Sequence, residues 1–223
     1  MKRTILAIIL LAVMLVSCFA FTACDGGVSQ GLLYTLSVDG TSYIVSGMGT
    51  CKDTIVVIPS TYKELPVTGI DNGAFRDCIG LYEVIIPEGV TSIGYDAFSC
   101  CVDLTSITIP STVTIIGSFA FCKCENLVSF VIPENVTFID DCTFKWCTSL
   151  TSITIPSSVS NISHWAFYGC DKLQTVIFDD IEGWLCKDLL GGPSINLSLI
   201  DPIQNATYLK TTYCDYYWCK ITN

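Results

Sequence analysis

Fourteen cysteines and one histidine, His164, are the residues of this 223-residue chain that first suggest chemistry. A serine or cysteine nucleophile needs a base within hydrogen-bond reach and a third group to orient that base. No spacing in the chain singles out such a set around His164. Zinc requires C-x-x-C or Cys/His pairs that come in twos. The close pairs here are Cys100-Cys101 and Cys122-Lys123-Cys124, and neither has a matching second pair. No glycine loop has the spacing of a phosphate cradle, and the carboxylates do not recur at one position that would line a cleft. No catalysis, metal or cofactor is therefore expected, and His164 reads as a variable, solvent-facing turn residue.

Most of the cysteines are explained by where they recur. Cys78, Cys101, Cys124, Cys147 and Cys170 stand 23 residues apart. The same period, without gaps, carries Leu81, Leu104, Leu127, Leu150 and Leu173, and Phe75, Phe98, Phe121, Phe144 and Phe167. It also carries Pro87, Pro110, Pro133 and Pro156, with Asp179 in the last place, together with valines at 90, 113, 136 and 159 and isoleucines at 93, 116, 139 and 162. A register this strict means a solenoid, in which each turn is too small to bury its own apolar face and stacking supplies one continuous core. In Leu104-Thr-Ser-Ile-Thr-Ile109, strand alternation sends Ile107 and Ile109 inward and Ser106 and Thr108 outward. Pro110 cannot donate to a ladder and starts a turn. Val113, Ile116 and Phe121 then return to the interior, with Cys124 beside the ring.

Buried free cysteine behaves as a small hydrophobe. Strands lie ~4.8 Å apart, a spacing that permits some bonding between turns, but equivalent thiols with two neighbours each cannot all pair. The ladder is expected to be reduced. Cys51, Cys100, Cys122, Cys142 and Cys186 lie off it, and Cys214 with Cys219 is the first place to look for a disulfide.

The pattern resembles the BspA-like, or Treponema-type, leucine-rich repeats. Their I-x-I-P strand stands here as Ile107-Thr-Ile-Pro110, the V-T-x-I-G segment as Val90-Thr-Ser-Ile-Gly94, and the A-F-x-x-C close as Ala97-Phe98-Ser-Cys-Cys101. Thr143 replaces the alanine, and Asp140 and Ser163 replace the glycine. The resemblance implies a leucine-rich-repeat solenoid over residues 51–180. It also implies a role in attachment to host proteins or other cells.

The ends depart from the period. Residues 34–45 alternate on both sides of Asp39-Gly40, a hairpin signal, and residues 24–50 are read as a linker and a hairpin cap. The stretch 59–75 runs five residues longer than a regular turn because of Tyr62-Lys-Glu-Leu-Pro66. Residues 181–223 are rich in aromatics, among them Trp184, Tyr208, Tyr213, Tyr216, Tyr217 and Trp218. They are read as the cap that the open end of a solenoid needs, the alternative being an exposed aromatic ligand edge. Residues 1–23 combine Lys2 and Arg3 with an apolar run, the order of a secretory signal peptide; a transmembrane anchor competes on length. Phe21-Thr-Ala-Cys24 resembles a lipobox and points to lipidation of Cys24, while Leu15-Val-Ser-Cys18 is a second box, and cleavage without lipid is a third outcome.

Hydrophobic residues make up 51% and charged residues 14%, too apolar for a disordered chain. Without Lys2 and Arg3, 9 basic residues face 21 acidic ones, about −12 in all. Such a surface repels phosphate backbones, so nucleic acid is excluded as a partner. Asn135, Asn161, Asn196 and Asn205 open N-x-S/T sequons, incidental in a bacterial chain.

What remains is surface. The outward strand positions form one column of Glu83, Ser106, Ser129, Ser152 and Thr175 and another of Ile85, Thr108, Val131, Thr154 and Ile177. This is a flat face about five strands and roughly 20 Å wide. Ser106, Thr108, Ser129, Val131, Ser152 and Thr154 at its centre are the expected binding residues. The functional expectation is an exported, lipid-anchored or secreted cell-surface module that binds a host or bacterial surface protein without catalysis. The alternative is a structural scaffold that assembles with other envelope proteins.

Overall fold

Each 23-residue repeat folds into one turn with three sides, and a computed structural model describes residues 27–187, 195–196 and 201–220. The leader, with Cys18 and Cys24, lies outside the described residues. On the first side Ile55–Val57, Glu83–Ile85 and Ser106–Thr108 pair in parallel, as do Ser152–Ile155 and Thr175–Phe178. On the second side Tyr43–Gly47, Leu65–Ile70, Ser92–Ile93 and Ile115–Ile116 form a parallel run, and Phe138–Ile139 pairs with Asn161–Ile162. The corner between these sides is the proline turn. The N–H of Val113 donates to the Pro110 carbonyl at 3.2 Å, and Val136 and Val159 repeat the bond to Pro133 and Pro156 at 3.0 Å.

The third side is made of tight turns, stacked by backbone bonds between repeats. Phe75 N–H donates to the Ala97 carbonyl, Phe98 to Ala120, Phe121 to Thr143 and Phe144 to Ala166, all at 2.8–2.9 Å. This ladder fixes the phenylalanines above one another. Their rings stack at centroid distances of 5.0, 5.4, 5.7 and 5.3 Å from Phe75 to Phe167. The ladder cysteines do more than fill space. The thiols of Cys101, Cys124, Cys147 and Cys170 donate to the carbonyls of Phe75, Phe98, Phe121 and Phe144, at 2.9, 3.2, 3.2 and 3.1 Å. A buried carbonyl needs a partner, and a thiol supplies one while packing as an apolar group.

Close stacking also explains the glycine column. A Cβ on Gly94 would meet the Asn72 backbone nitrogen at 2.7 Å, and one on Gly117 the Tyr95 nitrogen at 2.8 Å. The exceptions, Asp140 and Ser163, fall in the later turns.

The sheets are not continuous. Between the repeats that begin at Leu104 and Leu127 neither strand ladder closes, and the first side is reduced there to a single bridge, Ser129 to Ser152, on the far side of the seam. The cause is Phe130, which stands where the other repeats carry Val84, Ile107, Ile153 and Val176. Its ring packs edge-on between Phe121 and Phe144, at 4.9 and 4.7 Å, and the widest step of the phenylalanine stack is here. The wedge opens the strand sides while the third side stays bonded, with Lys123 N–H on the Lys145 carbonyl at 2.7 Å.

Both ends are covered. At the start, Leu33–Leu36 pairs antiparallel with Tyr43–Gly47. The five-residue insertion forms its own small hairpin, Thr61–Tyr62 against Leu65–Ile70. It stacks Tyr62 on Tyr34 at 3.9 Å and against Tyr43 at 5.0 Å. At the far end Tyr217–Lys220 joins Asn161–Ile162 in the reverse direction, and Trp184–Lys187 pairs outside it. The short helix Pro202–Thr207, capped by the Asp201 carboxylate, sits on the last first-side strand, where Asn205 Nδ2 donates to the Val176 carbonyl at 3.1 Å.

Candidate functional site

The predicted binding columns do face outward. Thr108, Ser129, Ser152 and Thr154 are exposed, Val131 is 77% exposed, and Ser106 is half-buried. The fold brings Glu83 beside Ser106 and Ile85 beside Thr108, and, in the later pair of strands, Ser152 beside Thr175 and Thr154 beside Ile177. It does not bring Thr108 and Val131 into one ladder. The expected continuous five-strand face is therefore corrected to a three-strand and a two-strand panel that meet at the Phe130 wedge. Tyr82 and Val128 add exposed apolar surface beside these columns, and Ile177 does so within one of them.

The aromatic tail does not offer the sticky edge that its composition allowed. Trp218 and Trp184 are 1% and 2% exposed. Trp218 stacks parallel to Phe178 at 6.2 Å, and Trp184 meets the same ring edge-on at 5.2 Å. Tyr216 and Tyr217 are half-buried, and Asn161 donates to the Tyr217 hydroxyl. The tail extends the core by one layer. Cys214 and Cys219 are free thiols, and burial, with the Cys219 thiol on the paired strand as the lesser cause, raises Cys186 to about 12.

His164 also differs from its expectation. Its side chain is only 18% exposed, and Nδ1 lies 3.2 Å from the Asp141 carboxylate. No described nucleophile joins that pair. The suspected thiolate pairs diverge, because Cys101 and Cys124 donate to backbone carbonyls within the core while Cys100 is half-buried and Cys122, though buried, lies outside the core cluster. Among the described residues no group of three or more His, Cys, Asp or Glu side chains could hold a metal ion.

The third side carries the surface that sequence reasoning missed. Two positions per turn, four residues apart, hold the backbone in the left-handed region. One series is Gly73, Asp96, Phe119, Cys142 and Trp165; the other is Asp77, Cys100, Lys123, Trp146 and Gly169. Glycine adopts this region freely, whereas a bulky residue there costs about 1–2 kcal/mol. Phe119, Lys123 and Trp146 have φ of 60° and Trp165 of 52°. The chain thus keeps large side chains where the backbone favours small ones. The result is a cluster in which the Lys145 ammonium lies 4.8 Å from the Trp146 and Trp165 ring centres and 5.5 Å from Tyr168. Lys123 lies 5.0 Å over Trp146. Trp146, Trp165 and Tyr168 are 39%, 44% and 41% exposed. The signal was in the sequence as variable columns between the conserved ones, but only the turn geometry shows that positions 123, 145, 146, 165 and 168 converge.

Comparison with known proteins agrees with this architecture. The BspA type leucine rich repeat region matches residues 50–174 in six copies. A leucine-rich repeat protein of T. pallidum shares 33% identity and superimposes with a TM-score of 0.63, over 66% of this chain and 68% of that one. A leucine-rich repeat protein of Bacteroides ovatus shares 30% identity with a TM-score of 0.60, over 71% of this chain but only 41% of its own length. No functionally curated protein matches. Among the described residues no helix is long and apolar enough to cross a membrane.

Proposed function

The chain belongs to the BspA-type leucine-rich repeat family, and from that premise we propose that it is an exported, surface-displayed module that binds a protein partner and performs no catalysis. The observation that carries the reading is the strand side. Its side chains are small or β-branched, unpaired across most of their length, and include exposed Val131, Ile177, Val128 and Tyr82. Val128 and Val131 are exposed together in one repeat beside the seam, and grouped apolar side chains mark an interaction surface more than scattered ones do. Thr108, Val131 and Thr154, with Ser106, Ser129 and Ser152 beside them, are its centre. A partner of this face spans the seam and must tolerate the step at Phe130.

The test is binding of the full chain to purified extracellular-matrix proteins and to envelope proteins of the parent cell. The triple variant Thr108→Lys, Val131→Lys, Thr154→Lys should keep its circular dichroism, because these side chains face solvent, and bind at least about tenfold more weakly, since bulk and unpaired charge enter a flat contact. Undiminished binding by the folded triple variant would remove the strand side as the site.

Export is proposed to end in a lipid anchor on Cys24. Cys24→Ala should move the protein from the membrane fraction to the medium and abolish incorporation of labelled lipid. If membrane association and labelling persist, Cys24 is not the anchor and Cys18→Ala is the variant to compare.

A further inference from the structure

We infer that the third side of the last three repeats is a second binding site, specific for carboxylate-bearing saccharides. This goes beyond the strand-side reading and does not depend on it. The donors come first. The ammonium groups of Lys123 and Lys145 lie over aromatic rings, and neither makes an ion pair or hydrogen bond among the described residues. Arg76 pairs with Asp96 at 2.6 Å, Lys220 with Asp180 at 2.9 Å, and Lys210 donates to the Leu173 carbonyl at 2.7 Å, whereas Lys52, Lys63 and Lys172 resemble Lys123 and Lys145 in having no ion pair; what sets Lys145 apart is that it lies over three rings. The two ammonium groups are the cationic donors of this cluster, and the Asp215 carboxylate lies at its Trp165 edge.

The rings come second. An aromatic face carries negative charge density and an edge carries positive. It attracts the ammonium groups already there and the polarised C–H face of a sugar ring. Trp165 is held by an indole hydrogen bond to Asp215, and Trp146 is seated against Gly169. These supports orient the rings before any ligand arrives, which lowers the ordering cost of binding. The backbone conformations of Lys123, Trp146 and Trp165 would suit glycine better, so the large side chains at these three positions are kept against the local backbone preference.

The backbone argues for a saccharide over an acidic peptide. A peptide that docks by strand addition needs open N–H and C=O groups. Here the N–H groups of Phe119, Lys123 and Trp146 are already donated to the next turn. Recognition must run through side chains alone, with a carboxylate on Lys123 and Lys145 and a ring face on Trp165 or Tyr168.

The experiment is calorimetric titration of the full chain with three acidic probes: tetragalacturonate, a hyaluronan hexasaccharide and sialyllactose. Neutral controls are galactotetraose and lactose, and the peptide control is hexaglutamate. At least one acidic sugar should bind, at least tenfold tighter than its neutral counterpart, and the affinity should fall as salt rises from about 50 to 200 mM. Lys145→Ala and Trp165→Ala should each weaken binding at least tenfold, and Lys123→Ala should weaken it with its fold unchanged by circular dichroism. The strand-side triple variant should bind the sugar as the natural chain does, which separates the two sites. Binding of none of the three acidic sugars, equal binding of neutral ones, or binding of hexaglutamate alone overturns the proposal.

Discussion

Replacing Phe121 by alanine should lower the unfolding free energy by about 3–5 kcal/mol, the range for a large aromatic removed from a packed core. The ring is fully buried and makes three aromatic contacts, with Phe98 at 5.4 Å, Phe144 at 5.7 Å and Phe130 at 4.9 Å. Its position is the reason to expect the lower part of the range, because a site that can collapse leaves a smaller cavity. It stands on one side of the seam where both strand ladders are interrupted, so few backbone bonds are available to resist relaxation. In a one-dimensional stack each repeat is held only by its neighbours. Loss of this ring should therefore also reduce the cooperativity between the halves on either side of the seam. Urea denaturation followed by circular dichroism measures both. A midpoint shift equivalent to less than about 1 kcal/mol would contradict the assignment of this ring to the centre of the core. Val131→Ala is the control; at 77% exposure it should change stability by less than about 0.5 kcal/mol.

Raising the pH should destabilise the protein more steeply than its surface charges would. Burial, reinforced by the neighbouring thiols, pushes Cys124 and Cys147 well above the ordinary value of 9.0. Burial likewise raises Cys101, and raises Cys170 to about 12. The unfolded chain ionises these thiols first, so above pH 9 the folded state binds more protons and stability falls as pH rises. The contribution of the four ladder thiols is complete below pH 9 and is lost progressively toward their folded-state values. One pH unit above the unfolded value each thiol accounts for on the order of 1 kcal/mol, and the four together for several kcal/mol. Urea unfolding at pH 8 and pH 10 under a phosphine reductant gives the difference. In the double variant Cys124→Ala, Cys147→Ala the baseline stability is lower, but the pH-dependent loss should shrink by the share of two thiols, with Cys122, Cys186 and Cys214, also raised by burial, retaining theirs. If the natural chain and the double variant lose the same amount between the two pH values, the ladder thiols are not the cause.

Both predictions rest on a repeat that can be read without a structure. The 23-residue columns of Leu, Pro, Val, Ile, Phe and Cys specify the solenoid and identify its inward residues, because a stacked turn places every equivalent residue in an equivalent environment. The hairpin around Asp39-Gly40 was equally legible, since its turn chemistry and alternation are local. The buried state of the cysteine ladder followed from its period. Its hydrogen bonds to the phenylalanine carbonyls did not, because these join residues 26 apart in a geometry that no strand pattern encodes.

Departures from the repeat were where sequence reasoning failed, and tertiary packing decided them. Phe130 occupies an ordinary inward position, and only the space between Phe121 and Phe144 turns it into a wedge that divides the strand face. Trp218 has the composition of an exposed edge, yet the open end of the solenoid takes it in, since an uncovered Phe178 would leave apolar surface in water. Lys123, Lys145, Trp146, Trp165 and Tyr168 belong to three successive repeats and to three different columns. Their sequence numbers carry no sign of proximity, because a period of 23 describes stacking along the axis, whereas the convergence of columns depends on how tightly each turn bends. The sequence by itself determined what is inside. Which outward residues meet was decided by the backbone conformation of the third side, with its paired left-handed residues in every turn.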